Sequence, residues 1–180
     1  GYIGTHGMAH KLDFILQCAK GMEGRNNYHF LFLGSGAEKR NLLDLKEKLD
    51  LKNVTMLDPV SKLEVKRYIS ILDIALINLR KSELFTTVIP SKIFENAGME
   101  IPILMGVNGE AREIIESYHA GVCFEPESET EFCKKLDLLL TDENLYNECK
   151  EGCKKLSLDF DRNLLANKML QIITQINSGK

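Results

Sequence analysis

Short apolar segments recur between amphipathic ones along most of the chain, and this alternation leaves few folds open. Gly1–Gly4, Tyr28–Leu33, Asn53–Leu57, Asp73–Asn78, Ile103–Met105 and Val122–Phe124 are short apolar stretches that read as strands. Between them, Met8–Met22, Ala37–Leu49, Lys62–Leu72 and Glu110–Tyr118 repeat apolar residues at helical spacing, as Leu12, Ile15, Leu16 and Ala19 do in the first. Strands separated by helices run parallel, through right-handed crossovers. The expected fold is therefore α/β, a Rossmann-like three-layer α/β/α arrangement around a six-stranded parallel sheet. After Pro126 no strand follows: Thr130–Leu140, Glu143–Leu156 and Asn163–Ile176 are all helical in period. In the last, Leu164, Met169, Ile172, Ile173 and Ile176 form a broad stripe, expected to cover the sheet or to reach a partner domain outside this sequence. The expected organisation is one domain over 1–180, with a βα core at 1–126 and C-terminal helices at 127–180.

With 180 residues and 44% hydrophobic composition, the chain has enough apolar material for one well-packed domain. A net charge of −3 carries no basic footprint, so no nucleic-acid partner is expected. No apolar run approaches the roughly 20 residues needed to span a bilayer. The opening Gly1-Tyr2-Ile3-Gly4 reads as a strand already in progress, as in a piece of a longer protein whose N-terminal part could carry a targeting segment. The five cysteines form no CxxC pair and read as reduced thiols of a cytoplasmic protein, with Cys18, Cys123 and Cys133 packed as small hydrophobes. Cys149 and Cys153, one helical turn apart, have no second ligand pair nearby, so no metal is expected there.

In an open parallel sheet, ligands sit beyond the carboxyl ends of the strands, near the switch in strand order. The loops at those ends are Gly4–Gly7, Gly34–Gly36, Asp58–Val60, Arg80–Ile89 and Gly106–Gly109. Their glycines let a backbone approach a ligand closely or simply make tight turns, and neither early pair completes GxGxxG. His6 and His10 have metal-like spacing without a third ligand, and a hydrogen bond to phosphate is the other reading of them. The richest stretch is Pro90-Ser91-Lys92-Ile93-Phe94-Glu95-Asn96-Ala97-Gly98. Ser91 stands at a helix N-cap, Lys92 lies in the first turn, and Glu95 follows three residues later on roughly the same face. Gly98 is expected to end this helix, and Glu110 to cap the next or to meet a ligand. A cation for phosphate and a carboxylate for hydroxyls would fit a ligand that is part phosphate and part sugar. An ordinary surface Lys-Glu pair has the same spacing.

The segment Pro90–Gly98, followed by Ile101-Pro102-Ile103-Leu104, resembles the donor-binding signature of family 4 (group 1) glycosyltransferases. Gly4-Thr5-His6-Gly7-Met8-Ala9, the Leu33–Gly36 turn, Asp73–Ile77 and Ala120–Phe124 agree with it in order and spacing. The nearest branch resembles amino-sugar transferases of surface polysaccharide synthesis, of the N-acetyl-L-fucosamine type. The resemblance implies the C-terminal, nucleotide-sugar-binding half of a GT-B fold, with an N-terminal acceptor domain outside the sequence. It implies retaining transfer from a UDP-linked sugar to a saccharide or lipid-linked acceptor, without a metal cofactor, and peripheral contact with the inner face of a membrane.

By position, Lys92 would be the catalytic cation, stabilising the departing diphosphate. Ser91, the backbone at Thr87 and Val88, and the loop of Gly4, Thr5 and Gly7 would also meet the diphosphate. Glu95 would hold the ribose, while Pro59 and Val60, beside the Gly34 turn, would meet the base. Two departures stand out. Thr87 occupies the first of the family's two carboxylate positions, eight residues before Glu95, and Thr5 and His10 stand where Arg and Lys are frequent. A nucleotide-sugar 2-epimerase and a non-catalytic nucleotide-binding module are the alternative readings. A phospho-receiver is disfavoured by the missing acidic pair after the first strand.

Overall fold

The computed structural model describes residues 1–25 and 28–178. Strands and helices alternate through β1 (Tyr2–Ile3), α1 (Leu12–Gly21), β2 (Phe30–Leu33), α2 (Lys39–Lys48), β3 (Val54–Leu57), α3 (Lys62–Ile69), β4 (Ala75–Asn78), α4 (Lys92–Ala97), β5 (Ile103–Gly106), α5 (Glu110–Tyr118) and β6 (Gly121–Cys123). Three helices then follow without a strand: α6 (Glu129–Thr141), α7 (Glu143–Asp159) and α8 (Arg162–Ser178).

All paired strands are parallel, with Tyr2 opposite Phe32, Phe30 opposite Val54, Ala75 opposite Ile103, and Ile103 opposite Gly121. All six expected strands are present and parallel, paired in two three-stranded ladders, β1-β2-β3 and β4-β5-β6. Their backbones are joined at Gly1, whose nitrogen donates to Ile74 O (2.7 Å) and whose carbonyl accepts from Leu76 N (2.8 Å). Because β1 supplies two paired residues, little of it lies alongside β4. The spatial order is β3-β2-β1-β4-β5-β6, and the switch in order falls between β1 and β4.

Both faces of the sheet are covered, which explains the unbroken apolar runs of β4 and β5. Side chains alternate between the two layers: Leu76 and Leu104 join Phe14, Phe124 and Phe132 on one side. Ala75, Ile77, Ile103 and Met105 join Ile93, Ala111 and Ile115 on the other. The rings of Phe14, Phe30, Phe124 and Phe132 pack centroid to centroid at 5.3–6.4 Å, tying α1 and α6 to the sheet. Truncating one such buried ring typically costs about 3–5 kcal/mol.

Several expected local features differ. The helix expected over Met8–Met22 is a short 3-10 turn, Met8–His10, then α1, because Lys11 adopts a left-handed conformation (φ 48°) that breaks the ladder. Gly98 ends α4 as expected, but in a right-handed conformation, and the left-handed residue beyond it is Glu100. Gly109, not Glu110, caps α5, and no side-chain cap is made there. The stripe on α8 does not cover the sheet: Met169, Ile172 and Ile176 are 64%, 58% and 64% exposed. The cysteines are all free, and Cys149 and Cys153 are buried, the latter donating to the carbonyls of Ile101 and Ala120.

Candidate functional site

At the switch between β1 and β4, the loops that leave these strands are tied together: Arg80 N donates to Ala9 O (2.8 Å) and Asn78 donates to His10 O (2.9 Å). Gly4 N continues the ladder by donating to Leu33 O (2.8 Å), as Gly34 N does to Leu57 O (3.2 Å). The two loops then cross so closely that a Cβ on Gly34 would stand 1.9 Å from Gly4 O, and one on Gly36 would stand 2.4 Å from His6 O. Two backbone bonds fix the crossing, His6 N to Ser35 O and Glu38 N to His6 O, both 2.9 Å. These glycines bring backbone against backbone, which is the structural half of their expected role. Thr5 stays exposed at the tip, and Gly7 lines a cleft of about 170 Å³ with Met8, Lys11, Asp13, Glu38 and Arg80. A larger cavity of about 350 Å³ is lined by apolar residues such as Phe30, Leu104 and Phe132 with Gly1 and Asp73, and lies at the opposite, amino ends of the strands.

Lys92 opens α4, but its side chain does not remain at the helix surface. It runs back under the β1 loop, and its ammonium sits 3.6 Å from the centre of the Tyr2 ring. A Cβ on Gly4 would come within 2.5 Å of Lys92 Cε and 2.8 Å of Nζ, so the absent side chain at Gly4 is what admits the lysine. The Nζ is buried and has no hydrogen-bond partner among the described residues. Burial pushes its pKa down to about 7, with the Glu95 carboxylate opposing the shift. Tyr2 is fixed beneath it by a hydroxyl that donates to Thr5 O (2.7 Å).

Glu95 is exposed, and its carboxylate accepts from Ser91 Oγ (3.4 Å). Ser91 itself is helical (φ −57°, ψ −25°) and forms no side-chain cap, contrary to expectation: its hydroxyl turns to Glu95 rather than to an amide. Lys92 therefore points inward beneath Gly4, while Glu95 and Ser91 stay exposed at the surface. His6 is fully buried between the rings of Tyr2 and Phe32, with both ring nitrogens unpartnered. Burial, then the nearby Lys39, Lys92 and His10, push its pKa down to about 4. Burial and Lys92 also lower that of His10. Among the described residues, no three metal-ligating side chains converge.

The segment from Arg80 to Ser91 arches over the rim and is pinned at several points. Arg80 N donates to Ala9 O (2.8 Å), and Lys81 N donates to Glu127 Oε1 (2.8 Å). Lys81 Nζ pairs with Glu125 (2.7 Å), which Asn108 also reaches (3.2 Å). At the far side Thr86 O accepts from Glu110 N (2.8 Å). Thr87 and Val88 lie exposed beyond this pin. The Val88 amide already donates to Phe85 O (3.2 Å), so it is not the free phosphate donor expected from sequence. Pro59 is exposed and Val60 half-buried after β3. Beside them Lys39 holds Leu57 O (2.6 Å) and Gly34 O (3.1 Å), fixing the exits of β2 and β3.

Sequence reasoning missed Tyr2, Lys39 and Asn78. The last is a buried amide on β4 that donates to His10 O (2.9 Å) and so ties β4 to the β1 loop. A polar residue directly after the apolar run Ile74–Ile77 was the available signal for it. Nothing in the sequence marks Tyr2 as the seat of Lys92.

Residues 2–156 match the family model described as Glycosyl transferases group 1. Among curated proteins no match was found. Among solved structures, the C-terminal domain of a glycosyl transferase group 1 family protein from Francisella tularensis is similar. It aligns with 17% identity and a TM-score of 0.68, over 88% of this chain and 85% of that one. HepE from Anabaena, in complex with UDP and glucose, aligns at 13% identity and TM-score 0.82, over 97% of this chain and 47% of its own. TarM from S. aureus, in a complex containing UDP, aligns at 14% identity and TM-score 0.77, over 94% of this chain and 34% of its own. This chain thus spans less than half the length of the two longer structures.

Proposed function

The chain belongs to the group 1 glycosyl transferases, and from that premise we propose that it is the donor-binding half of a retaining, metal-independent glycosyltransferase. It takes a UDP-linked sugar, an amino sugar of the N-acetyl-L-fucosamine type, and serves transfer to a polysaccharide or lipid-linked acceptor held by a further domain. The protein then works in the cytoplasm, at the inner face of a membrane. One observation carries the reading: a buried, unpartnered lysine ammonium under a glycine loop, at the switch between β1 and β4. A buried cation without an acceptor is expensive unless an anion joins it. UDP in HepE and TarM adds support for the nucleotide.

In this scheme the bond between the anomeric carbon and the diphosphate oxygen breaks while the acceptor hydroxyl oxygen bonds from the same face. The acceptor proton passes to the departing phosphate. Lys92 stabilises the charge that develops on that phosphate, a role worth about 3–4 kcal/mol for one well-placed donor. Glu95, at the surface, takes the ribose hydroxyls. Pro59 and Val60 offer backbone to the base, Thr5 and Thr87 offer hydroxyls, and Gly4, Gly7 and Gly34 permit close approach.

Calorimetric titration with UDP and GDP tests the site, with UDP expected to bind and Glu95→Ala to weaken it about tenfold or more. In a protein containing both halves, Lys92→Ala is expected to lower turnover by roughly a hundredfold or more. Unchanged UDP affinity in Glu95→Ala and unchanged turnover in Lys92→Ala would remove both residues from the scheme.

A further inference from the structure

Lys92 is held by a ring face rather than by an acceptor. Its Nζ lies 3.6 Å from the Tyr2 centroid, is shut off from solvent, and donates to nothing among the described residues. A cation over an aromatic ring gains about 2 kcal/mol when desolvated, whereas taking an ammonium out of water costs several. The charged and titratable groups around it are Tyr2 from β1, His6 and His10 from the segment after β1, and Glu95 from its own helix. The histidines are held neutral by burial, and Glu95 is exposed at the surface, so none is a close counter-charge. The pocket under Gly4 therefore suits the neutral amine better than the ammonium, while a diphosphate at the switch between β1 and β4 suits only the ammonium.

We propose that binding of a nucleoside diphosphate is coupled to uptake of about one proton by Lys92, which leaves the Tyr2 ring to donate to the phosphate oxygens. This rests on the donor-site reading above. The free site holds Lys92 largely unprotonated above about pH 7, and the occupied site holds it protonated. The bound state carries more protons, so affinity falls as pH rises, by up to roughly tenfold per pH unit.

The test is calorimetric titration of UDP into the chain at about pH 8, in Tris and in HEPES, whose ionisation enthalpies differ. The dependence of apparent enthalpy on buffer reports the protons exchanged, and uptake close to one is expected. In Lys92→Arg, whose guanidinium stays charged, binding is expected to persist with uptake near zero and with a flat affinity profile above pH 7. Lys92→Met, which suits the apolar pocket, is expected to bind UDP more weakly, with uptake near zero and no further loss of affinity between pH 7 and pH 8, should the arginine not fit. UDP binding without uptake in the unaltered chain would overturn the coupling and leave the donor site standing. Uptake unchanged in either variant would assign the proton to His6 or His10 and also overturn it. Failure of both UDP and GDP to bind would remove the donor-site reading, and the coupling with it.

Discussion

A histidine with two buried, unpartnered ring nitrogens is an expensive filler, and His6 is such a residue. An unsatisfied buried polar group costs about 1–3 kcal/mol, which an aromatic ring of similar shape would not incur. Its charged form is worse still. With a folded pKa of about 4 against an ordinary 6.5, the unfolded chain binds the extra proton between those values. Stability therefore falls as pH drops through that window, by about 3 kcal/mol in all for this group. His10, shifted in the same direction, adds to the same slope. His6→Phe is expected to hold or raise stability at pH 7 and to flatten the acid limb, as read from urea midpoints at about pH 7 and pH 5. A variant that loses stability at neutral pH and keeps the full acid slope would mean that another group titrates.

At the level of elements, the arch over residues 80–91 depends on a glycine in the neighbouring loop. A Cβ on Gly109 (φ +81°) would fall 2.0 Å from Thr86 O, where the arch is pinned. Gly24 has nearly the same φ (+80°) with nothing within 4 Å. Both substitutions to alanine are strained by a positive φ, but Gly109 (ψ −145°) lies near a region essentially reserved for glycine, and it alone adds a backbone collision. Gly109→Ala should therefore destabilise by roughly 2 kcal/mol more than Gly24→Ala and weaken UDP binding, by denaturation and calorimetry; equal losses would mean that the arch yields freely. The alternation of apolar and amphipathic segments made the strands, the helices and the rim loops legible, because period alone distinguishes them. The crossing of the β1 and β2 loops was legible only as paired glycines. The break at Lys11 was not, since lysine gives no signal for a left-handed turn. Nor was the seat of Lys92 on Tyr2, because 90 positions separate the two and the contact exists only once α4 is laid against β1. The sequence spacing put Lys92 and Glu95 on one face. Side-chain length, which spacing ignores, sends one inward and leaves the other at the surface.

For the molecule as a whole, two apolar layers flank the sheet, and both are complete without α8. The layers draw on α1, α2, α6 and the start of α7 on one side and on α3, α4, α5 and the rest of α7 on the other, and neither includes a residue beyond Phe160. Residues 162–176 are exposed throughout, including Leu170 (62%) and Ile173 (44%). An isolated helix of this length is marginal in water, so α8 adds little to the stability of the rest. Removing residues 162–180 should then shift the thermal midpoint by no more than about 2 °C, leave UDP affinity unchanged, and reduce self-association by removing an apolar stripe. Stability is read by calorimetric scanning and association by sedimentation. A fall of about 5 °C or more would correspond to roughly 1–2 kcal/mol for a domain of this size. That result would mean that α8 folds back onto the two-layer core in solution, and that its stripe covers apolar surface left open in this arrangement.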